Sequence, residues 1–168
     1  MSTSGQDAVM RHREIGTSDK FVHVRFELPR DADNPDWPPS TAELMWAEPY
    51  AGNLAILRSV PFYARGVAFG DLIATRSEDG MAAFESVIEH NGHSTYRIAM
   101  LSGEAEKAFA EWWRPLADLG CEYERANDVL IAVDMSPSVD VHAAYQVLEK
   151  GEKEGIWDFE EGFYYRPE

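Results

Sequence analysis

The stretch His93-Ser-Thr-Tyr-Arg-Ile-Ala-Met-Leu101, running into Ser102-Gly-Glu-Ala-Glu-Lys-Ala-Phe-Ala-Glu-Trp-Trp-Arg-Pro-Leu-Ala-Asp-Leu-Gly120, is where the period of the sequence changes. The first part reads as an extended strand. The second places Ala105, Phe109, Trp112, Trp113 and Leu116 on one stripe at helical spacing. Ser102 is positioned to cap that helix and Gly120 to close it, and Pro115 should kink or divide it near its end. Toward the C-terminus, residues 121–125 and 128–134 read as strands about a turn at Ala126-Asn127. Asp140 is placed to cap a second helix with the stripe Val141, Ala144, Tyr145 and Leu148, ended by Gly151 or Gly155, and residues 157–165 read as a last strand. From Ser94 onward the order is strand, helix, strand, strand, helix, strand. That is the ferredoxin-like pattern, one sheet with two helices on one face.

Toward the N-terminus the pattern alternates instead. Residues 21–28 put Val22, Val24, Phe26 and Leu28 on one face. Residues 29–40, rich in Asp and Pro, form a loop. Residues 43–48, 53–57, 72–77 and 81–90 read as further strands, with two-residue hairpin signals at Asp79-Gly80 and Asn91-Gly92. Six short strands joined by tight turns predict an antiparallel barrel or strongly curved sheet, and the strand at 95–101 is placed to serve both parts. The fold class is therefore α+β: a loose tail at 1–20, an antiparallel β part at 21–92 and a ferredoxin-like part at 93–168.

The chain has 168 residues, 45 % of them hydrophobic, with 30 acidic and 15 basic side chains and a net charge of −15. That is enough apolar matter for a packed core. The charge argues against nucleic acid or an anionic membrane as partner, since both need basic patches. Residues 1–100 hold 9 basic and 14 acidic groups, net −5; residues 101–168 hold 6 and 16, net −10. A single cysteine, Cys121, excludes an internal disulfide framework and a Cys-rich metal site. With acidic Glu122 beside it, that thiol is a poor nucleophile. No apolar leader and no run of ~20 apolar residues are evident, so a soluble cytoplasmic protein is expected, without metal or cofactor.

Candidate chemistry gathers near His93. If Asn91-Gly92 closes a two-residue hairpin, His90 and His93 face each other across a ladder, Ser86 opposes Arg97 and Glu89 opposes Ser94. His93 then reads as a general base, Arg97 as an anion clamp and Tyr96 as a donor. Structurally, Arg97 would instead pair a core-edge carboxylate such as Glu48. Residues 61–71 are the other unusual piece: Gly66 and Gly70 permit positive φ, Phe62, Tyr63 and Phe69 supply apolar anchors, and Asp71 fixes a turn. This segment is either a pocket floor or a buried connection, and with it Glu48, Tyr63, Asp71, His90 and Ser94 are the candidate ligand-binding residues. The final strand alternates aromatics with acids. Trp157, Glu160, Glu161 and Tyr164 are its candidates for contact with a basic partner.

The stretches Trp46-Ala-Glu-Pro49, Val60-Pro-Phe62, Gly66-Val-Ala-Phe-Gly-Asp71 and Gly92-His-Ser-Thr-Tyr-Arg97 resemble a bacterial family of small proteins filed as a domain of unknown function. That resemblance implies no activity. Residues 94–165 are also similar in layout to the acidic protein inhibitor of ribonuclease E, a family whose module binds a protein and does no chemistry. Two readings follow. One is an acidic, non-catalytic binding or regulatory protein, inhibitor- or immunity-like, that docks a basic protein surface. The other is a small-molecule-binding protein or small accessory enzyme of a biosynthetic pathway, with its pocket where the two parts meet, around His93, Tyr96 and Arg97. Edge strands in either sheet offer a route to a dimer without choosing it.

Overall fold

Alternation at 21–28 puts Val24, Phe26 and Leu28 in a core, while Val22 at the strand's start is 39 % exposed. This strand belongs to the first of two units in the computed structural model, which describes residues 9–12, 20–101 and 105–167. Unit 1 comprises residues 1–59 and 70–89, unit 2 residues 60–69 and 90–168. The ten residues at 60–69 therefore go with the second unit, not with the β part that surrounds them in sequence.

Unit 1 contains β1 (Val9–Arg11), β2 (Val22–Glu27), β3 (Ala42–Ala51), β4 (Leu54–Leu57), β5 (Leu72–Glu78) and β6 (Met81–Glu89). The order is β1-β3-β2-β6-β5-β4, and β3 also pairs with β4, so five strands close into a barrel. Two of the pairings, β1–β3 and β2–β6, are parallel, where an antiparallel part was expected. Closure spares this short sheet most of its free edges. Phe26 stacks on Phe84 with ring centroids 4.5 Å apart, and Leu44, Met45, Leu57 and Ile73 fill the core. Asp79 and Gly80 adopt φ of 53° and 79°, the geometry a tight hairpin requires. The N-terminal expectation needs correction at residues 9–12. β1 lies against β3, and His12 Nε2 sits 2.5 Å from the fully buried Glu43 carboxylate. The rest of that tail, 1–8 and 13–19, lies outside the described residues.

Unit 2 contains β7 (Ser94–Met100), α1 (Ala105–Asp118), β8 (Glu122–Arg125), β9 (Leu130–Met135), α2 (Val141–Lys153) and β10 (Trp157–Phe163). The sheet order is β10-β7-β9-β8, antiparallel throughout, which is the ferredoxin-like order. Asp140 caps α2 as expected, its carboxylate accepting from the Ala143 amide at 3.0 Å. The proposed cap of α1, Ser102, lies outside the described residues. Pro115 sits inside α1 without dividing it: the helix runs unbroken to Asp118. One helical stripe buries Phe109, Trp113 and Leu116 against Ile98, Ile131, Val133, Leu148 and Trp157. Trp112, one residue from Trp113, meets Trp157 edge-on at 6.2 Å. Tyr145, assigned to the α2 stripe, is 40 % exposed instead. Gly151 lies inside α2, where a Cβ would run into the Trp157 indole, and the chain turns at Gly155 with φ 73°.

The hairpin expected at Asn91-Gly92 does not form. β6 belongs to the first sheet and β7 only to the second, so His90 and His93 do not face each other on a ladder and β7 does not serve both parts. Ser86 opposes Ala74, and Arg97 opposes Ala132 and Glu160. Gly92 has φ 88°, and its Cα abuts Pro137: a Cβ there would lie 2.7 Å from the ring's Cγ. The glycine serves a close approach rather than a two-residue turn.

Candidate functional site

Strand alternation divides the polar run of β7 between the two faces of its sheet. Tyr96 joins Ile98 and Met100 in the core beneath the helices. Arg97, adjacent to Tyr96, points to the opposite, helix-free face. The expected trio of base, clamp and donor is therefore not one site. The Tyr96 hydroxyl donates to Glu161 at 3.4 Å, and burial, reinforced by that carboxylate, holds its proton well above the ordinary tyrosine range.

Arg97 is 3 % exposed, and each of its guanidinium nitrogens has an acceptor. Nη2 donates to the Tyr63 carbonyl at 2.7 Å, Nη1 to the Ala64 carbonyl at 3.1 Å and Nε to Glu160 at 3.3 Å. Glu160 also receives Arg65 Nη2 at 3.0 Å, and the Gly66 amide reaches the Gly162 carbonyl at 3.4 Å. The Val60 amide donates to Glu124 at 3.2 Å. The segment 60–69 is thus strapped across the helix-free face by a buried arginine; Arg97 pairs a carboxylate, as its structural reading had it, but Glu160 rather than Glu48, and the hold on the two carbonyls was not foreseen. Gly162 in β10 makes room for it, since a Cβ there would collide with the guanidinium.

His93, just before β7, places Nδ1 2.8 Å from an Asp134 oxygen, with side-chain exposures of 14 % and 8 %. The Phe69 ring centroid lies 5.5 Å from the imidazole. A carboxylate on Nδ1 favours the tautomer whose proton sits there and leaves Nε2 as the acceptor. Among the described residues Nε2 has no hydrogen-bond partner. Asp134 is directly opposite Thr95 across β7 and β9, and the buried Thr95 hydroxyl has no partner among the described residues either. Burial, with Asp134 nearby, pushes the Cys121 thiol up to about 11, in the direction expected from its acidic surroundings.

The other candidates are scattered. Glu48 is half-buried on β3 and 3.5 Å from Arg58, and Asp71 is fully buried, its carbonyl accepting from Leu57; both belong to unit 1. His90 stacks on Phe163 at 4.2 Å, the Ser94 hydroxyl accepts from the Tyr165 amide at 3.0 Å, and Tyr63 serves through its main chain. Trp157 is 0 % exposed and donates its indole N–H to the Leu148 carbonyl, so it is core and not a partner contact. Glu160 is committed to two arginines, whereas Glu161 and Tyr164 remain exposed. Asp134 and Gly162 were missed, although an acid in the apolar run Leu-Ile-Ala-Val-Asp-Met and a glycine within a strand were both visible signals. No group of three or more His, Cys, Asp or Glu side chains is placed to hold a metal among the described residues. A depression of about 330 Å³ in unit 1, lined by Arg25, Glu27, Glu78 and Met81 among others, contains none of the candidates. Among the described residues no helix is long and apolar enough to cross a membrane.

A β-barrel unit and a ferredoxin-like unit carrying a buried arginine strap and a histidine–aspartate pair define a two-unit α+β protein. Residues 43–159 match the family described as a domain of unknown function, DUF4265, and the chain belongs to that family. It is also similar in fold to a solved structure titled as a novel crystal structure of a hypothetical protein from Neisseria gonorrhoeae, with a TM-score of 0.66 and 16 % identity over 91 % of this chain and 100 % of that one. No curated protein matches. Neither match is to the acidic inhibitor of ribonuclease E, and the expected likeness to it has only the order of elements behind it.

Proposed function

We propose that the protein is a non-catalytic binding or regulatory protein, inhibitor- or immunity-like, whose acidic second unit docks a basic protein surface in the cytoplasm. One observation carries the reading. Two of the three side chains that would have built a catalytic centre are spent inside the fold, Arg97 on two carbonyls and Glu160, Tyr96 on the other face of the sheet, while acids of unit 2 such as Glu111, Asp118, Glu122, Asp128, Asp158 and Glu161 stay exposed. Such a surface steers a basic partner by long-range attraction. The test is capture of a partner from cell extract, its identification, and titration of the purified pair between ~20 and ~150 mM salt. Affinity should fall steeply across that range. A salt-independent affinity refutes the reading.

A second reading, a small-molecule binder or small accessory enzyme, has one observation in its favour. His93 is oriented by Asp134 through Nδ1 and keeps Nε2 as an acceptor, the arrangement of a positioned general base. It requires His93→Ala and Asp134→Asn to abolish a function while leaving partner capture intact.

A further inference from the structure

Of the exposed aromatics of unit 2, Tyr123 packs apart on Phe109 and Trp113, whereas Tyr145 and Tyr164 belong to one patch with Phe159 and Tyr96. Tyr145 on α2 meets the Phe159 ring edge-on at 5.3 Å and Tyr96 edge-on at 6.2 Å. The Tyr96 hydroxyl reaches Glu161 at 3.4 Å, and the Tyr145 and Tyr164 groups are near enough to add to the hold on its proton. Tyr145 and Tyr164 are 40 % and 37 % exposed, and Glu161 is exposed. Electron-rich faces and one carboxylate are thus gathered on the helix-bearing side of the sheet. A cation already uses this patch: the Arg166 guanidinium lies 5.6 Å over the Tyr164 ring.

We propose that Tyr145, Phe159, Glu161 and Tyr164 form a receptor for a lysine or arginine side chain of the basic protein partner, with Arg166 as the intramolecular cation that the partner displaces. The proposal rests on the docking reading above and deepens it. A ring face attracts a cation through its quadrupole, and a neighbouring carboxylate adds a charge-assisted hydrogen bond. The unit's net negative charge brings the cation in, and the rings give it one place to stop. Glu160, one residue away, cannot substitute, because it is held by Arg97 and Arg65.

The full chain is titrated with an arginine hexapeptide and a lysine hexapeptide at ~20 mM salt, following affinity by calorimetry and backbone amides by NMR. Shifts should concentrate at 143–147 and 159–166. Glu161→Gln and Tyr145→Ala, both at exposed positions, should each weaken binding about tenfold, whereas Glu111→Gln and Asp128→Asn, which also remove one charge, should change it less than about twofold. Equal weakening by all four variants, with shifts spread over the unit, overturns the receptor and leaves the docking reading standing. Absence of binding by either peptide to the wild-type chain overturns both.

Discussion

Replacing Gly162 with alanine should damage unit 2 far more than a single methyl in a strand normally does, and only because of Arg97. The new Cβ would lie 3.0 Å from the guanidinium carbon and 3.3 Å from the Thr95 carbonyl oxygen, and closer still to Nη1. The guanidinium has two responses. If it stays, the overpacking costs about 1–3 kcal/mol. If it swings away, it abandons the Tyr63 and Ala64 carbonyls, at about 1–3 kcal/mol for each buried group left unpaired. The cheaper response is to stay, and the closeness of Nη1 puts the expected loss in the upper part of that range, about 2–3 kcal/mol. Urea unfolding followed by tryptophan fluorescence reads it, since Trp112, Trp113 and Trp157 all lie in unit 2. The decisive comparison is the same change in an Arg97→Met background. There the guanidinium collision is gone and only the 3.3 Å approach to the Thr95 carbonyl remains, so alanine should lie between neutral and about 0.5 kcal/mol better than glycine, the weaker strand residue. The two substitutions should therefore couple by about 2 kcal/mol. If their effects add within about 0.5 kcal/mol, the strap is not what requires a glycine at 162 and the reasoning fails.

Gly151→Ala should invert the usual helix rule. In an open helix the change stabilises by about 1 kcal/mol, but here the methyl meets the buried Trp157 indole, and a loss of about 2 kcal/mol is expected in thermal unfolding; a gain refutes the packing. Stability should fall at alkaline pH. The Cys121 thiol is raised to about 11 in the fold and ionises at a lower pH when unfolded, so the unfolded state sheds its proton first and stability drops as pH climbs from about 9 to 11, by about 2 kcal/mol. Cys121→Ala should flatten that slope, leaving the part due to Tyr96, whose proton is also held by burial; a pH profile unchanged by the substitution counts against it. Modification of Cys121 by iodoacetamide at pH 8 should be at least about 100-fold slower than that of a free thiol, and an ordinary rate would mean the thiol is not buried as described.

How far the sequence could be read depended on whether the determining partner was local. The change of period near Ser102, the Asp140 cap and the Asp79-Gly80 turn are near-neighbour effects, and the βαββαβ order followed from them. Asn91-Gly92 misled because a glycine of positive φ serves a hairpin or a close approach equally well; here the neighbour was Pro137, more than 40 residues away. The polar run at 93–97 correctly flagged something unusual, but its meaning lay in carbonyls. Residues Tyr63 and Ala64 hold Arg97 through backbone oxygens, which every residue possesses, so no side-chain pattern announces them. Trp157 and Glu161 sit four residues apart in one strand and looked alike as partner contacts. Burial separates them, one roofed by α2 and the other open to solvent.

The segment at 60–69 has a bearing on how this family can vary. The polypeptide passes between its two units three times, at 59/60, 69/70 and 89/90. No single cut separates the two units, because 60–69 lies within the run that holds the first and 70–89 within the run that holds the second. A fragment beginning at His90 would keep Arg97 and Glu160 but lose the Tyr63 and Ala64 carbonyls, and with them the segment that covers the guanidinium. Genetic shuffling that treats the barrel and the ferredoxin-like unit as separable cassettes therefore breaks the second one, and the two should be inherited, duplicated and lost together.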